Sequence, residues 1–277
     1  MTLPIRDLEI ISSQRCVLGE GIQIDTSGEL ISWVDIKSDL CFVKVKNVEK
    51  PIQCVGLTAP SRILGIGDLK VKVLHQFGIS EIEFLNGRIS DLLTFSPHQK
   101  NLRSNDGEEF PDGSIWYSRM GLAEEQGMGS IWRWMPDSSE NRMVDGLTIP
   151  NTILKLPHSD EIYFADSASG SLFVGEISSF PSKLRNIRKF GDLDNSYGVP
   201  DGSCLDSAGN LWNCRWGAGK IVILSPNGEL IDWIELPMNY PTSCKLDSRE
   251  EFLFVTSANP ENEKDPYSGH TLKLAVA

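Results

Sequence analysis

Four side chains that carry a carboxylate or an amide precede four turns of this sequence at nearly the same distance. They are Glu20, Asn105, Asn151 and Asp201, which lie 8, 8, 9 and 8 residues before Gly28, Gly113, Asp160 and Gly209. Carboxylate and amide oxygens without His or Cys are the ligands that hard divalent cations prefer, with Ca²⁺ the usual occupant. The spacing predicts a metal site if the fold brings these positions together. The alternative is that each side chain bonds only to the backbone of its own turn.

A repeat is the arrangement that would bring them together. The turns recur at intervals of 39, 46, 47, 49 and 41 residues, with markers at Gly28, Gly67, Gly113, Asp160, Gly209 and Glu250. In three units a second turn follows the first by 19 or 20 residues, at Asn47, Gly87 and Gly228. Each of the six units therefore contains two hairpins, and repeats of this length indicate a closed array of similar units.

Two hairpins give four short antiparallel strands, so the sequence predicts an all-β fold, a six-bladed β-propeller with four-stranded antiparallel blades. Residues 30–36 are rich in β-branched and aromatic side chains, as expected for a strand. Residues 8–11 predict a further strand that pairs with the last blade and closes the ring. The alternative fold is an all-β sandwich with evenly spaced turns.

Equivalent positions in successive blades lie at the same height, so the four polar side chains should face one end of the central channel. The same count places Ala59 and Thr242 at this level in the other two blades. That side of the ring would then be free of ligand charge.

Length and composition agree with one domain over residues 1–277, of which 40% are hydrophobic. A formal charge of −12 opposes binding to nucleic acid or to anionic membranes. Residues 1–15 interleave charged with apolar side chains, and no apolar stretch approaches a bilayer span, so a cytoplasmic location is expected. The six cysteines include no C-x-x-C pair and read as small buried side chains in a reducing compartment.

Several short segments, in order along the chain, resemble the gluconolactonase and regucalcin family, also called the senescence marker protein family. The segments are residues 18–21, 33–36, 103–107, 111–113, 163–167, 200–202 and 211–212. They extend from the first blade to the fifth, so the resemblance covers nearly the whole chain. It implies a six-bladed, metal-dependent propeller.

The resemblance also implies roles for individual residues. Glu20, Asn151 and Asp201 correspond to the metal ligands, around one divalent ion that is Ca²⁺ by preference, with Zn²⁺, Mn²⁺, Mg²⁺ or Fe²⁺ as alternatives. Asn105 would contact the substrate or complete the metal shell, and Arg103 would hold substrate hydroxyls. A further substrate contact corresponds to Glu124 or Glu125.

The chain departs from the family pattern near these positions. Thr152 follows Asn151 where the family has Gly, Arg119 replaces a small residue, and Ile22 and Ile24 stand where Pro and Trp are usual. These changes bear on the identity of the substrate more than on metal binding.

The expected function is therefore metal-dependent hydrolysis of a sugar lactone, an aldonolactone, to the aldonic acid. The metal would act as a Lewis acid and Asp201 as the general base. Two alternatives remain, namely hydrolysis of an organophosphate or another ester by the same architecture, and a calcium-binding propeller without turnover.

Overall fold

The computed structural model describes residues 2–3, 6–48, 50–96, 99–156, 159–178, 183–260 and 266–276. Strands joined by turns make up nearly all of this structure. Its helical segments include the 3₁₀ turns Ile36–Ser38, Ser167–Ser169 and Asn195–Tyr197. Among the described residues, no helix is long and apolar enough to cross a lipid bilayer.

The strands of the first half of the chain are β1 (Thr2–Leu3), β2 (Arg6–Ile10), β3 (Gly19–Ile24), β4 (Leu30–Asp35), β5 (Leu40–Val45), β6 (Ile52–Cys54), β7 (Arg62–Gly67), β8 (Lys70–His75), β9 (Gly78–Glu83), β10 (Arg88–Thr94), β11 (Leu102–Glu109), β12 (Ile115–Gly121) and β13 (Gly129–Trp134). Those of the second half are β14 (Glu140–Leu147), β15 (Pro150–Lys155), β16 (Glu161–Asp166), β17 (Ser171–Ser178), β18 (Lys183–Phe190), β19 (Val199–Leu205), β20 (Leu211–Trp216), β21 (Lys220–Leu224), β22 (Leu230–Glu235), β23 (Pro241–Leu246), β24 (Phe252–Ser257) and β25 (Leu272–Ala275).

These strands form six sheets, which we number as blades 1 to 6 in chain order. Blades 1 to 4 are β3–β6, β7–β10, β11–β14 and β15–β18, blade 5 is β19–β22 with β1 added, and blade 6 is β23–β25 with β2 added. The first strand of each blade packs against the first strands of both neighbours, from β3 through β7, β11, β15, β19 and β23 back to β3. The first strands therefore line a central channel, and the six-bladed propeller prediction is confirmed.

The ring is closed by a strand from the beginning of the chain. β2 pairs antiparallel with β25, and Glu9 and Ile10 lie opposite Lys273 and Leu272. Blade 6 thus takes its fourth strand from the N-terminal segment, which confirms the predicted closure. That residues 1–277 behave as one domain stays a prediction.

The hydrophobic core lies between adjacent blades, and all six cysteines belong to it as free thiols. Cys41 and Cys54 pack with Ile63 between blades 1 and 2. Cys204 and Cys244 pack between blades 5 and 6, with their sulfur atoms 3.8 Å apart. The prediction that the cysteines are buried is confirmed.

Every first strand contains a β-bulge or a similar irregularity. The pairing with the second strand shifts between Glu20 and Gln23, Ile63 and Gly65, Ser104 and Gly107, Asn151 and Leu154, Pro200 and Ser203, and Pro241 and Cys244. A β-bulge re-aims the side chains beside it and commonly lies next to a functional site. In blades 1, 3, 4 and 5 the bulge lies beside a polar residue at one level of the channel, whereas the shift of blade 2 lies further along β7.

In blade 2 the residue at this level is Ser61, so the placement of Ala59 by turn counting was wrong. Gly67 is still within β7, and the turn itself consists of Asp68 and Leu69, both with positive φ (48° and 61°). This two-residue hairpin turn is shorter than the turns of the other blades. Counting 8 residues back from Gly67, which precedes the turn, therefore ends two residues too early.

Close contacts between neighbouring first strands support the placement of Ser61 at this level. A Cβ on Gly21 would meet the Ser61 carbonyl oxygen and the Arg62 Cα, just as a Cβ on Gly202 would meet the corresponding atoms of Thr242 and Ser243. Each of the residues at this level in blades 2, 4, 5 and 6 also follows a proline.

Candidate functional site

The bulges gather four polar side chains at one end of the channel. Glu20, Asn105, Asn151 and Asp201 come from blades 1, 3, 4 and 5, and each is less than a tenth exposed to solvent. All four line the same cavity of about 210 Å³. The sequence analysis predicted this convergence from the shared distance to the turns, while the role of each residue remains a proposal.

Backbone and amide groups hold the two carboxylates in place. Glu20 Oε2 accepts a hydrogen bond of 2.9 Å from the Gly21 amide, and Asp201 Oδ1 accepts one of 3.0 Å from the Gly202 amide. Asn151 Nδ2 donates to the same Asp201 oxygen over 2.6 Å. This donor assignment leaves Asn151 Oδ1 as the free acceptor of that side chain, which is the atom a cation requires.

These residues fit a hard divalent cation. Two buried carboxylates and the Asn151 amide oxygen form an all-oxygen donor set with a formal charge of −2. Within the described residues, no three His, Cys, Asp or Glu side chains are grouped to hold an ion. A site here would therefore use an uncharged amide as its third protein ligand.

Both carboxyl groups are difficult to ionise in the metal-free protein. Burial, and then repulsion from Asp201 and Asp106, raises the pKa of Glu20 well above its usual range. Burial, and then Asp106, raises the pKa of Asp201 to about 7. A bound cation would oppose both effects because an adjacent positive charge favours the ionised form.

The metal-free protein should therefore lose stability through these groups as the pH rises. The folded chain keeps a proton on Asp201 up to a pKa of about 7, whereas the unfolded chain releases it near the ordinary value of 3.8. A raised acid pKa stabilises the folded state fully below pH 4 and progressively less up to pH 7. We expect the melting temperature of the wild type, relative to Asp201→Asn, to fall by several degrees between pH 5 and pH 8 in chelator.

The comparison with Asp201→Asn cancels the effect of titrating groups that do not interact with Asp201. Burial lowers the pKa of His75 to about 4, so this residue makes stability rise with pH over part of the same range. His75 is present in both proteins, and its effect cancels in the difference. Scanning fluorimetry in steps of half a pH unit gives the measurement. Parallel curves for the two proteins would contradict the assignment.

The mouth of the cavity carries one charged pair from blade 3. Arg103 donates from Nη1 to Asn105 Oδ1 over 2.8 Å and to the Ser104 carbonyl over 2.9 Å. Burial lowers the pKa of Arg103, and the nearby Glu124 carboxylate opposes that shift. Glu124 has a positive φ of 58° and lines the cavity.

Glu125 is placed differently from Glu124. Its carboxylate accepts a hydrogen bond from the Ala123 amide within the same turn, and it is absent from the cavity wall. The structure therefore distinguishes between these two residues, which the sequence left as alternatives. Glu124 is the one that a bound molecule could reach.

Apart from the hydroxyl group of Ser167, the rest of the mouth is apolar, which the sequence analysis did not predict. Its residues are Leu18, Ile149, Val199 and Trp216. The first three lie two residues before Glu20, Asn151 and Asp201, as Arg103 lies two before Asn105, so the same spacing could have found them. Trp216 ends β20 opposite Val199 and packs against the Tyr240 ring, with the ring centroids 4.8 Å apart and the planes tilted by 48°. No spacing in the sequence marks that position.

Two of the departures from the family pattern have clear places in the structure. Arg119 lies under the Phe95 ring, 4.2 Å from its centroid, and donates to Gln99, so it does not line the cavity. Thr152 has a positive φ of 53°, and its hydroxyl bonds to the Asp201 carbonyl oxygen. Thr152 therefore supports the strand that carries Asp201, and its side chain does not line the cavity.

Comparison with known proteins places this arrangement in context. Residues 18–259 match the family described as SMP-30/Gluconolactonase/LRE-like region. Regucalcin of Xenopus laevis is 26% identical over 94% of this chain and 93% of its own length. L-arabinolactonase of Azospirillum brasilense is 26% identical over 92% of this chain and 85% of its own. The crystal structure of a calcium-binding protein, regucalcin, from Agrobacterium tumefaciens superposes with a TM-score of 0.89 at 23% identity, covering 99% of this chain and 95% of that one.

Proposed function

Since the chain belongs to the SMP-30/gluconolactonase/LRE-like family, we propose that it is a metal-dependent hydrolase that opens a sugar lactone to the aldonic acid. The observation that carries this proposal is the convergence of Glu20, Asn151 and Asp201 in one buried cavity. A relative named L-arabinolactonase supports the substrate class. The calcium-binding protein of the same fold supports Ca²⁺ as the first metal to test.

Glu20, Asn151 and Asp201 would hold the metal. A divalent cation bound there supplies Lewis acidity to the lactone carbonyl and acidifies the attacking water. Zn²⁺, Mn²⁺, Mg²⁺ and Fe²⁺ are the alternatives to Ca²⁺. The oxygen-only donor set favours the harder ions among these.

Asp201 would also move the proton. As the water oxygen attacks the carbonyl carbon, the carboxylate accepts a proton from that water. The ring C–O bond then breaks, and the same carboxyl group returns the proton to the departing ring oxygen. Its hydrogen bonds from Asn151 and Gly202 both fall on Oδ1, so Oδ2 would be the oxygen that takes the proton.

The mouth would bind the remainder of the lactone. Arg103 and Glu124 offer a donor and an acceptor to hydroxyl groups on the blade 3 side. Asn105 already accepts from Arg103 and donates to the Pro150 carbonyl, so it would hold the arginine in position. Opposite them, Trp216 and Val199 offer an apolar surface for the C–H face of the ring.

Loss of the aromatic surface should weaken substrate binding. Trp216→Ala removes an aromatic contact worth about 1 kcal/mol, so we expect KM to rise roughly fivefold while kcat changes less than threefold. Trp132→Ala is the control, because this half-buried residue lies in the outer part of blade 3 beneath Arg142. Initial rates over a range of lactone concentrations measure both constants. An unchanged KM would remove Trp216 from the substrate site.

The proposed function is tested with a pH-indicator assay across five- and six-membered aldonolactones, run in chelator and again after metal addition. Metal-dependent acid release supports the proposal. Turnover of phosphotriesters alone would instead indicate the organophosphate hydrolase. Metal binding without turnover of either class would indicate a calcium-binding propeller that is not an enzyme.

A further inference from the structure

One arginine lies in the channel a layer below the proposed metal site. Arg62 follows Ser61 and begins β7, the first strand of blade 2, and it is 2% exposed. Its Nη1 donates to Ser243 Oγ of blade 6 over 3.0 Å. Its Nη2 donates to Glu108 Oε2 of blade 3 over 2.9 Å, and its Nε lies 3.5 Å from Asp106 Oδ1. The guanidinium therefore reaches both blades 3 and 6 from blade 2.

The surrounding strands are built to accept this side chain. Blade 1 lies between blades 2 and 6, and at this level it carries Gly21, which has a positive φ of 62°. A Cβ on Gly21 would come within 2.6 Å of the Arg62 Cα. Only glycine permits this close approach of the two strands, and it leaves the path toward Ser243 free of a side chain.

The charges of the channel explain why a cation is needed there. Four carboxylates converge on it, namely Glu20, Asp106, Glu108 and Asp201, and all except Glu108 are less than a tenth exposed. Burial disfavours the charged form of Arg62, but Asp106 and Glu108 raise its pKa above the ordinary value. The guanidinium is thus a permanent charge between two carboxylates. Lys245 Nζ also lies 3.8 Å from Oε1 of Glu108, the oxygen that Arg62 does not contact.

We propose that Arg62 is the fixed cation of the channel, occupying the place between Asp106 and Glu108 that a second divalent ion would otherwise take. The role of Arg62 does not depend on the proposed function. Only the expected total number of bound ions depends on the metal site at Glu20, Asn151 and Asp201. The guanidinium offsets the charge of the two deeper carboxylates and repels another cation, so only Glu20 and Asp201 are left without a cationic side chain as a direct partner. The wild-type chain then binds a single ion.

Removing the guanidinium should create a new ion site. In Arg62→Ala, the carboxylates of Asp106 and Glu108 and the hydroxyl of Ser243 surround an open space, and all three are oxygen ligands. We expect one bound Ca²⁺ per wild-type chain and two per Arg62→Ala chain. Arg62→Lys keeps the charge and should bind one. Arg62→Ala/Glu108→Gln lacks a deeper ligand and should also return to one.

The measurement is calcium stoichiometry by titration calorimetry and by elemental analysis of the protein after gel filtration in buffered CaCl₂. The decisive readout is the gain of one ion in Arg62→Ala. If the wild type binds no ion and the variant binds one, the proposed ion site at Glu20, Asn151 and Asp201 is wrong, but the inference about Arg62 is supported. Equal numbers in the two proteins overturn the inference. So does an Arg62→Ala chain that remains unfolded in millimolar calcium, because an ion in that place would substitute for the lost charge.

Discussion

Asp201→Asn is expected to lower kcat/KM for the preferred lactone by roughly 10³-fold or more, the scale of a lost general base together with a lost metal ligand. The substitution keeps the size of the side chain and removes both its charge and its ability to accept the proton from water. Calcium affinity should fall in the same variant, since Asp201 supplies one of only two carboxylates in the proposed ligand set. Initial rates and calorimetry measure the two effects on one preparation.

Asp206→Asn is the matched control for this variant. Asp206 belongs to the same blade and accepts hydrogen bonds from the Asn210 amide and Trp212 Nε1, in a turn that contributes nothing to the cavity. Its substitution should alter stability without altering calcium affinity. If Asp201→Asn retained wild-type turnover, Asp201 would have no part in the mechanism, and the proposed proton transfer would have to be abandoned.

Removal of the divalent ion is expected to abolish hydrolysis, and CaCl₂ in excess of chelator is expected to restore it. The metal-free carboxyl groups hold protons that a cation must displace, because burial raises the pKa of Asp201 to about 7 and that of Glu20 above its usual range. Ion binding therefore releases protons. The Asp201 proton alone should lower the apparent affinity for calcium about tenfold for each pH unit below 7, and the Glu20 proton should add to this fall.

Two measurements check this expectation. Titrations in two buffers of different ionisation enthalpy count the protons released, and titrations at pH 5.5, 6.5 and 7.5 give the slope. Glu20→Gln removes one of the two titrating groups, so its slope should be shallower than that of the wild type. An affinity independent of pH would contradict the buried carboxylate pair as the ion site. Full activity in excess chelator would contradict metal dependence itself.

The fold could be predicted from the sequence because the turn residues recur at regular intervals. Turn residues such as Gly28 and Gly209 have positive φ, which few residues tolerate, so they recur visibly at blade intervals. The candidate site followed from the same count, since Glu20 and Asp201 hold the same position within their repeats. Where a turn changed length, the count failed. The two-residue turn at Asp68 and Leu69 displaced blade 2 and put Ala59 in the place of Ser61.

Because of the same error in blade 2, the sequence did not identify Arg62, the residue next to Ser61, as a channel residue. Pro60 was the available signal, because prolines also precede Asn151 and Asp201. Trp216 had no such signal. It reaches the cavity from the end of a second strand, and its position depends on packing against Tyr240, which is set by the three-dimensional structure rather than by spacing along the chain.

The pairing of β2 with β25 also has a consequence for biosynthesis. A chain emerging from the ribosome contains Glu20 early and Asp201 much later, yet blade 6 lacks its outer two strands until residues 272–275 have been made. Contacts between such distant residues form slowly, because loop entropy opposes them until the ring can close. A nascent chain ending near residue 250 would hold every proposed metal ligand without the geometry to bind the ion. Calcium should then act on the finished ring and have little influence on the growing chain.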